Sequence, residues 1–82
     1  MEQRILVLDD DADILDIISY ILVEKGYVVA TLGSGREIFQ TIREFHPDLV
    51  LMDVMLGDMD GRVICSALKD KNETSVLPVI LI

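Results

Sequence analysis

The chain has 82 residues, 51% of them hydrophobic, which is enough for one globular domain with a core and too much for a disordered segment. Its 15 acidic residues against 7 lysines and arginines give a net charge of -8, which argues against a nucleic-acid-binding surface. A single cysteine excludes an internal disulfide, and no apolar stretch approaches the roughly 20 residues that span a bilayer. We therefore expect a cytoplasmic protein that makes no membrane contact.

The first half of the chain alternates strand and helix patterns. A short apolar run, Ile5 to Leu8, predicts strand 1, which ends at three consecutive aspartates. An amphipathic helix is predicted from Asp13 to Lys25, and Asp11 or Asp13 can cap its N-terminus. The predicted apolar face of this helix consists of Ile14, Ile17, Ile18, Ile21 and Leu22. Tyr27 to Leu32 is rich in β-forming residues and predicts strand 2.

A second helix is predicted to end near Phe45, because the residue before a proline avoids helical geometry. The apolar run Leu49 to Met52 predicts strand 3, buried on both faces and ending in Asp53.

A third helix is predicted from Arg62 to Lys71, and strand 4 within Leu77 to Ile82. The residues of this helix that we expect to be buried are Val63, Ile64, Ala67 and Leu68. Strict alternation of strands and helices predicts an α/β fold, in which a parallel sheet has right-handed crossovers and helices on both faces.

Three carboxylates follow strands 1 and 3. Asp9 and Asp10 come directly after strand 1, and Asp53 directly after strand 3. If these strands are neighbours in a parallel sheet, their carboxyl ends bring the three anions together. Carboxylates crowded in this way repel one another and are suited to a hard divalent cation, Mg²⁺ or Mn²⁺. Such a carboxylate can also attack phosphorus and form an aspartyl phosphate.

The segments Ile5 to Asp11, Asp48 to Leu56 and Met59 to Gly61 closely resemble the receiver domain of two-component response regulators. The resemblance covers essentially the whole chain. It implies a flavodoxin-like (CheY-like) doubly wound parallel sheet of strand order 2-1-3-4 in a three-layer α/β/α arrangement. It also implies that residues 1–82 form a single, partial receiver domain without the family's fifth strand and last two helices.

By this resemblance, Asp53 is the phosphoacceptor of a signalling module, and its phosphoryl donor is the histidine of a sensor kinase or of a phosphotransfer protein. Asp10 and Asp53 would bind Mg²⁺ directly, Met55 through its backbone carbonyl, and Asp9 through water. Asp9, Asp10 and Asp53 are then the expected catalytic residues. The module is not an enzyme beyond self-catalysed phosphoryl acceptance and autodephosphorylation.

The sequence departs from the family pattern in two ways. Gly57 stands where the family commonly has proline, which predicts a more flexible loop after Asp53. The family's Ser or Thr after strand 4 and its later Lys are not among these residues. Because the family's fifth strand, which pairs with strand 4, is also not among these residues, strand 4 is expected to be an uncharged edge through which the chain self-associates. We also expect Ile5, Val7 and the inner face of the first helix to lose cover.

Two other functions stay open. An aspartate-nucleophile phosphatase or phosphotransferase of the haloacid-dehalogenase type would carry a second aspartate two residues after Asp53, where this chain has Met55. The other is a truncated receiver that acts only as an assembly or interaction fragment, without phosphotransfer.

Several further residues are expected to be structural. The acidic residues outside the carboxylate group are expected to cap helices or to lie in turns and on the surface: Asp11, Asp13, Asp58 and Asp60. His46 is expected to interact with the C-terminal end of the second helix, and Cys65 to be a buried, inert thiol. Met55 and Met59 are expected to pack within their loop.

Overall fold

The computed structural model describes residues 2–57 and 59–82. Within them, strands and helices alternate in the order β1 (Arg4–Leu8), α1 (Ala12–Glu24), β2 (Val28–Leu32), α2 (Ile38–Phe45), β3 (Leu49–Met52), α3 (Gly61–Asp70) and β4 (Val79–Leu81). A short 3-10 turn, Gly35–Glu37, leads into α2. The strands form one parallel sheet in the order β2-β1-β3-β4. The predicted CheY-like sheet order is therefore confirmed.

Strand β1 lies in the middle of the sheet and sets the position of the site. Leu8, its last residue, is aligned with Leu32 of β2 and with Met52 of β3. The backbone ladder continues past the strand ends, since the Asp53 N–H donates to the Leu8 carbonyl at 2.9 Å. The residues that follow β1 and β3 are thus held side by side at the carboxyl edge of the sheet.

The hydrophobic core lies between one face of the sheet and helices α2 and α3. Its buried members are Leu6, Leu8, Ile38, Ile42, Val50, Met52, Leu56, Ile64 and Leu68. Successive residues of a strand point to opposite faces, so Leu6 and Leu8 enter this core while Ile5 and Val7 face α1. Helices therefore cover both faces, as the three-layer arrangement requires.

Helix α1 packs differently from the prediction. It has no fully buried residue, and Ile14, Ile17 and Ile21 are 39%, 57% and 50% exposed, so their assignment to the buried face was wrong. Ile18 and Leu22, which also belong to the predicted apolar face, are half-buried, and so is Leu15. The side of α1 that meets the sheet is therefore displaced by one residue from Ile14, Ile17 and Ile21. Because α1 carries two adjacent apolar stripes, helical periodicity alone cannot select the one that meets the sheet.

Two further burial predictions also fail. Ile5 and Val7 are only 4% and 0% exposed, so α1 and the neighbouring strands cover β1 fully and the expected loss of cover is wrong for these two residues. The expected loss of cover at the first helix agrees with the structure, because α1 has no fully buried residue. In α3, Ile64 and Leu68 are buried as predicted, whereas Ala67 is half-buried and Val63 is 62% exposed. Val63 lies in the first turn of α3 on its solvent side, where an apolar side chain is tolerated.

The helix ends follow local chemistry. Asp11 caps α1, its carboxylate accepting hydrogen bonds from the N–H groups of Asp13 and Ile14. Gly26, with φ of 95°, follows the end of α1 in a conformation that favours glycine. His46 caps the C-terminal end of α2 in the left-handed region, with φ of 54°.

No helix in residues 2–57 and 59–82 is long and apolar enough to cross a membrane.

Candidate functional site

Three carboxylates meet at the carboxyl edge of the sheet. Asp9 and Asp10 follow β1, Asp53 follows β3, and one carboxylate oxygen from each lies within 4.8 Å of the other two. Among the described residues, this is the one group of three or more acidic, histidine or cysteine side chains close enough to hold a metal ion. The group of three carboxylates depends on the pairing of β1 with β3, because neither strand alone is followed by all three aspartates.

Asp9 is the buried member of the group, with an exposed fraction of 5%. Its Oδ1 accepts a hydrogen bond from the Asp11 N–H at 2.9 Å. Burial raises the pKa of Asp9 above 3.8, the nearby charges of Asp53 and Asp10 raise it further, and the Asp11 N–H partly offsets both effects. In the metal-free protein, ionisation of Asp9 therefore lowers folding stability as the pH rises from its ordinary pKa to the raised one.

Asp10 and Asp53 are more open to solvent than Asp9. Asp10 is exposed and Asp53 is half-buried. The Met55 N–H donates to Asp53 Oδ1 at 3.1 Å, which fixes the orientation of this carboxylate. Asp53 is thus held by the backbone of its own loop while it stays within reach of a molecule in solution.

The donor set fits a hard divalent cation. The three candidate ligands are carboxylates, without histidine or thiolate, and such all-oxygen sites suit Mg²⁺ or Mn²⁺ rather than Zn²⁺. The raised pKa of Asp9 reflects an electrostatic cost that a cation would relieve. Asp10 and Asp53, the more accessible pair, would bind the ion directly, and Asp9 would contact it through water.

The loop between β3 and α3 packs tightly on Asp53. The Gly61 N–H donates to the Val54 carbonyl at 2.7 Å. A Cβ atom on Gly61 would overlap the Asp53 carbonyl oxygen and lie 3.0 Å from the Cα of Val54. Gly61 is therefore a supporting residue of the site, although its sequence context indicated only that it belongs to a motif.

Asp60 anchors the end of this loop. Its carboxylate caps α3 by accepting from the Arg62 N–H at 2.8 Å, and it forms an ion pair with the Arg62 guanidinium at 2.7 Å. These bonds lower the pKa of Asp60 to about 2, so this residue is ionised at neutral pH. Its predicted role as a cap is confirmed.

The remaining predicted residues lie outside the carboxylate group. Asp13 is in the first turn of α1, and Asp58 lies outside the described residues. Cys65 is half-buried rather than buried. Met55 is 80% exposed, so the prediction that it packs within the loop is wrong. Met59 is 37% exposed, and its sulfur lies close to Gly35. Leu56 fills the core beneath this loop.

Comparisons with known proteins agree with this arrangement. The family model described as response regulator receiver domain matches residues 5–82. The chain is 38% identical over 82 residues to the DNA-binding response regulator MtrA of Mycolicibacterium paratuberculosis, an alignment that covers 100% of this chain and 35% of that protein. The chain thus spans about a third of the length of the curated relatives it matches.

Solved structures show the same likeness. The N-terminal domain of a response regulator receiver protein from Methanoculleus marisnigri superposes with a TM-score of 0.90 at 36% identity, covering 95% of this chain and 63% of that one. The chemotaxis response regulator CheY4 of Vibrio cholerae gives a TM-score of 0.91 at 25% identity, covering 99% of this chain and 68% of that one.

Proposed function

Since the chain belongs to the response regulator receiver domain family, we propose that it accepts a phosphoryl group on Asp53 in a Mg²⁺-dependent reaction. The phosphoryl donor is a phosphohistidine of a sensor histidine kinase or of a phosphotransfer protein. The observation that supports this proposal is the convergence of Asp9, Asp10 and Asp53 at the carboxyl edge of the sheet. In this proposal, residues 1–82 act as one receiver unit.

In the proposed reaction, a carboxylate oxygen of Asp53 attacks the phosphorus of the donor. The new oxygen–phosphorus bond forms as the phosphorus–nitrogen bond breaks, and the leaving imidazole takes up a proton. The Met55 N–H keeps the Asp53 carboxylate oriented during the attack. Bound Mg²⁺ supplies neutralisation of the charge on the phosphoryl oxygens.

Each residue of the group has a distinct proposed role. Asp10 and Asp53 hold the cation through their carboxylates, Met55 through its backbone carbonyl, and Asp9 through a water molecule. Receiver domains in general are not conventional enzymes, and the proposed chemistry is limited to phosphoryl acceptance by the chain itself and later hydrolysis of its own aspartyl phosphate.

Incubation with a small phosphodonor tests the proposal. Acetyl phosphate with Mg²⁺ is expected to add one phosphoryl group, seen in the intact mass, and an excess of chelator is expected to suppress the addition. Equal modification with and without chelator would argue against a metal-dependent site.

Mg²⁺ affinity distinguishes the proposed roles of two adjacent aspartates, Asp10 and Asp11. Asp10→Asn is expected to weaken Mg²⁺ binding at least about tenfold, because it removes a charged ligand. Asp11→Asn is the matched control: the Asp11 carboxylate caps α1, and asparagine also caps helices well. Calorimetric titration measures both affinities, and equal losses in the two variants would refute the ligand assignment.

We also propose that the 82-residue polypeptide self-associates through β4, which keeps the assembly function as a second candidate. In the described part of the chain, β4 pairs with β3 along one edge and has no strand along its other edge. The side chains of residues 79–82 carry no charge, and Ile80, Leu81 and Ile82 are 49%, 36% and 52% exposed. An uncharged, open strand edge favours pairing with the same edge of a second copy.

A lysine on this edge tests the association. Ile80→Lys is expected to convert a dimer to a monomer, because the interface would bury two unpaired charges. Val76→Lys is the control, since Val76 is 87% exposed and precedes β4. Light scattering measures the change at a chain concentration of roughly tens of micromolar, where an interface of ordinary strength forms. A monomeric parent chain at this concentration would contradict self-association.

A further inference from the structure

Asp11 connects the carboxylate group to the first turn of α1. Its backbone N–H donates to Oδ1 of the buried Asp9 at 2.9 Å. Its own carboxylate lies on the helix side and accepts from the N–H groups of Asp13 at 2.9 Å and Ile14 at 3.4 Å. One residue therefore binds a member of the carboxylate group through its backbone and the start of a helix through its side chain.

The backbone of Asp10 is held on both sides. Before it, the Asp9 N–H donates to the Leu32 carbonyl at 3.1 Å and continues the ladder between β1 and β2. After it, Asp11 has the extended backbone of a helix cap, with φ of -95° and ψ of 112°, and its carbonyl accepts from the Leu15 N–H at 3.1 Å. The position of the Asp10 carboxylate thus depends on where β1 ends and on where α1 begins.

We propose that Asp11 is a positioning residue for the carboxylate group and that it acts through the cap it forms on α1. The cap hydrogen bonds fix the backbone of Asp11, and this backbone holds the Asp9 carboxylate and directs Asp10. Without the cap, N–H groups of the first turn lose their partners and the turn frays. The oxygens of Asp9 and Asp10 then no longer stay within 4.8 Å of an oxygen of Asp53. This inference rests on the proposed role of the carboxylate group as a Mg²⁺ site.

Loss of the Asp11 charge and loss of its cap have different consequences. Asp11→Ala removes both the charge and the hydrogen-bond acceptor, whereas Asp11→Asn removes the charge and keeps an oxygen that can accept from the same N–H groups. Asp13→Ala removes one negative charge from the same turn and leaves the cap in place. If only charge matters, the three variants lose Mg²⁺ affinity alike. If the cap positions the carboxylates, Asp11→Ala loses the most.

Calorimetric titration of the parent chain and the three variants with Mg²⁺ measures this difference. We expect an affinity about tenfold lower for Asp11→Ala than for Asp11→Asn, the lower end of the range for residues that support a metal ligand. Asp13→Ala is expected to bind Mg²⁺ like Asp11→Asn, because each of these variants loses one charge outside the proposed ligands and keeps the cap.

The same coupling acts in the opposite direction. If the cap raises Mg²⁺ affinity, Mg²⁺ stabilises the capped turn by the same factor, because linkage between two equilibria is reciprocal. Hydrogen exchange is therefore expected to be about tenfold slower with Mg²⁺ than with chelator at the amides of Asp13 and Ile14, which donate to the cap. Asp11→Ala has no side-chain cap to stabilise, and the same two amides are expected to show no such slowing.

The remaining outcomes also decide the question. If the parent binds Mg²⁺ and Asp11→Ala binds it as tightly as Asp11→Asn, the positioning role is refuted while the proposed function stands. If the parent does not bind Mg²⁺, the metal-dependent function fails and the positioning role fails with it. If circular dichroism shows that Asp11→Ala is unfolded in chelator, Asp11→Gly takes its place, because glycine also lacks the acceptor but destabilises a helix start less than alanine. An affinity of Asp11→Gly equal to that of Asp11→Asn would then refute the inference.

Discussion

Asp53→Asn is expected to abolish phosphoryl uptake from acetyl phosphate. The amide nearly matches the carboxylate in shape but is not nucleophilic towards phosphorus, and it removes one negative charge from the cation-binding group. Asp13→Asn, in the first turn of α1 and outside that group, is expected to be modified like the parent chain. Intact-mass measurement of the three proteins after the same incubation with Mg²⁺ gives the comparison.

Persistent modification of Asp53→Asn would identify a different acceptor. The nearest alternatives are Asp9 and Asp10, whose oxygens share the same site. Burial makes Asp9 poorly accessible to a phosphodonor, whereas Asp10 is exposed. Modification retained in Asp53→Asn and lost in Asp10→Asn would therefore exchange the proposed roles of these two residues.

Gly61→Ala is expected to lower the free energy of unfolding by about 1–3 kcal/mol, the usual cost of overpacking. The new Cβ atom would overlap the backbone carbonyl oxygen of Asp53, which cannot rotate away as a side chain can. This overlap outweighs the gain of about 1 kcal/mol that alanine brings to a helix relative to glycine. Urea unfolding monitored by circular dichroism measures the change.

Two other glycines provide controls for this prediction. A Cβ atom on Gly35 would meet the side chains of Ile64 and Met59, which can shift, so Gly35→Ala should cost less than Gly61→Ala. Gly33→Ala meets open space and should cost least. Equal stability of the Gly61→Ala variant and the parent chain would show that the β3–α3 loop is not held by this close contact.

The sequence pattern predicted a parallel sheet with acidic residues at two strand ends, and the family resemblance implied the strand order that brings the carboxylates together. The apolar runs before Asp9 and Asp53 locate two strand ends, and parallel strands place their carboxyl ends at one edge. Local signals also identified the caps Asp11 and Asp60, because a cap and the backbone groups that it binds are neighbours in sequence.

Properties that depend on distant packing were missed. The orientation of α1 depends on which of its two apolar stripes meets β1 and β2, and the sequence of the helix contains both. The close approach of Gly57 to Asp10 joins two segments that are far apart along the chain. The difference in burial between Asp9 and Asp10 likewise arises from the surrounding strands, since the two residue types are identical.

Reductive trapping of the phosphorylated chain tests most directly whether Asp53 is the acceptor. Borohydride delivers one hydride to the carbonyl carbon of an aspartyl phosphate, which releases phosphate and leaves an aldehyde. A second hydride and a proton from water then convert the aldehyde to the alcohol of homoserine at the modified position. After treatment with acetyl phosphate and Mg²⁺, peptide sequencing by mass spectrometry is expected to find homoserine at position 53 and none when chelator replaces Mg²⁺. Homoserine at position 9 or 10, or a phosphoryl group that survives reduction on another residue type, would contradict the proposed phosphoacceptor.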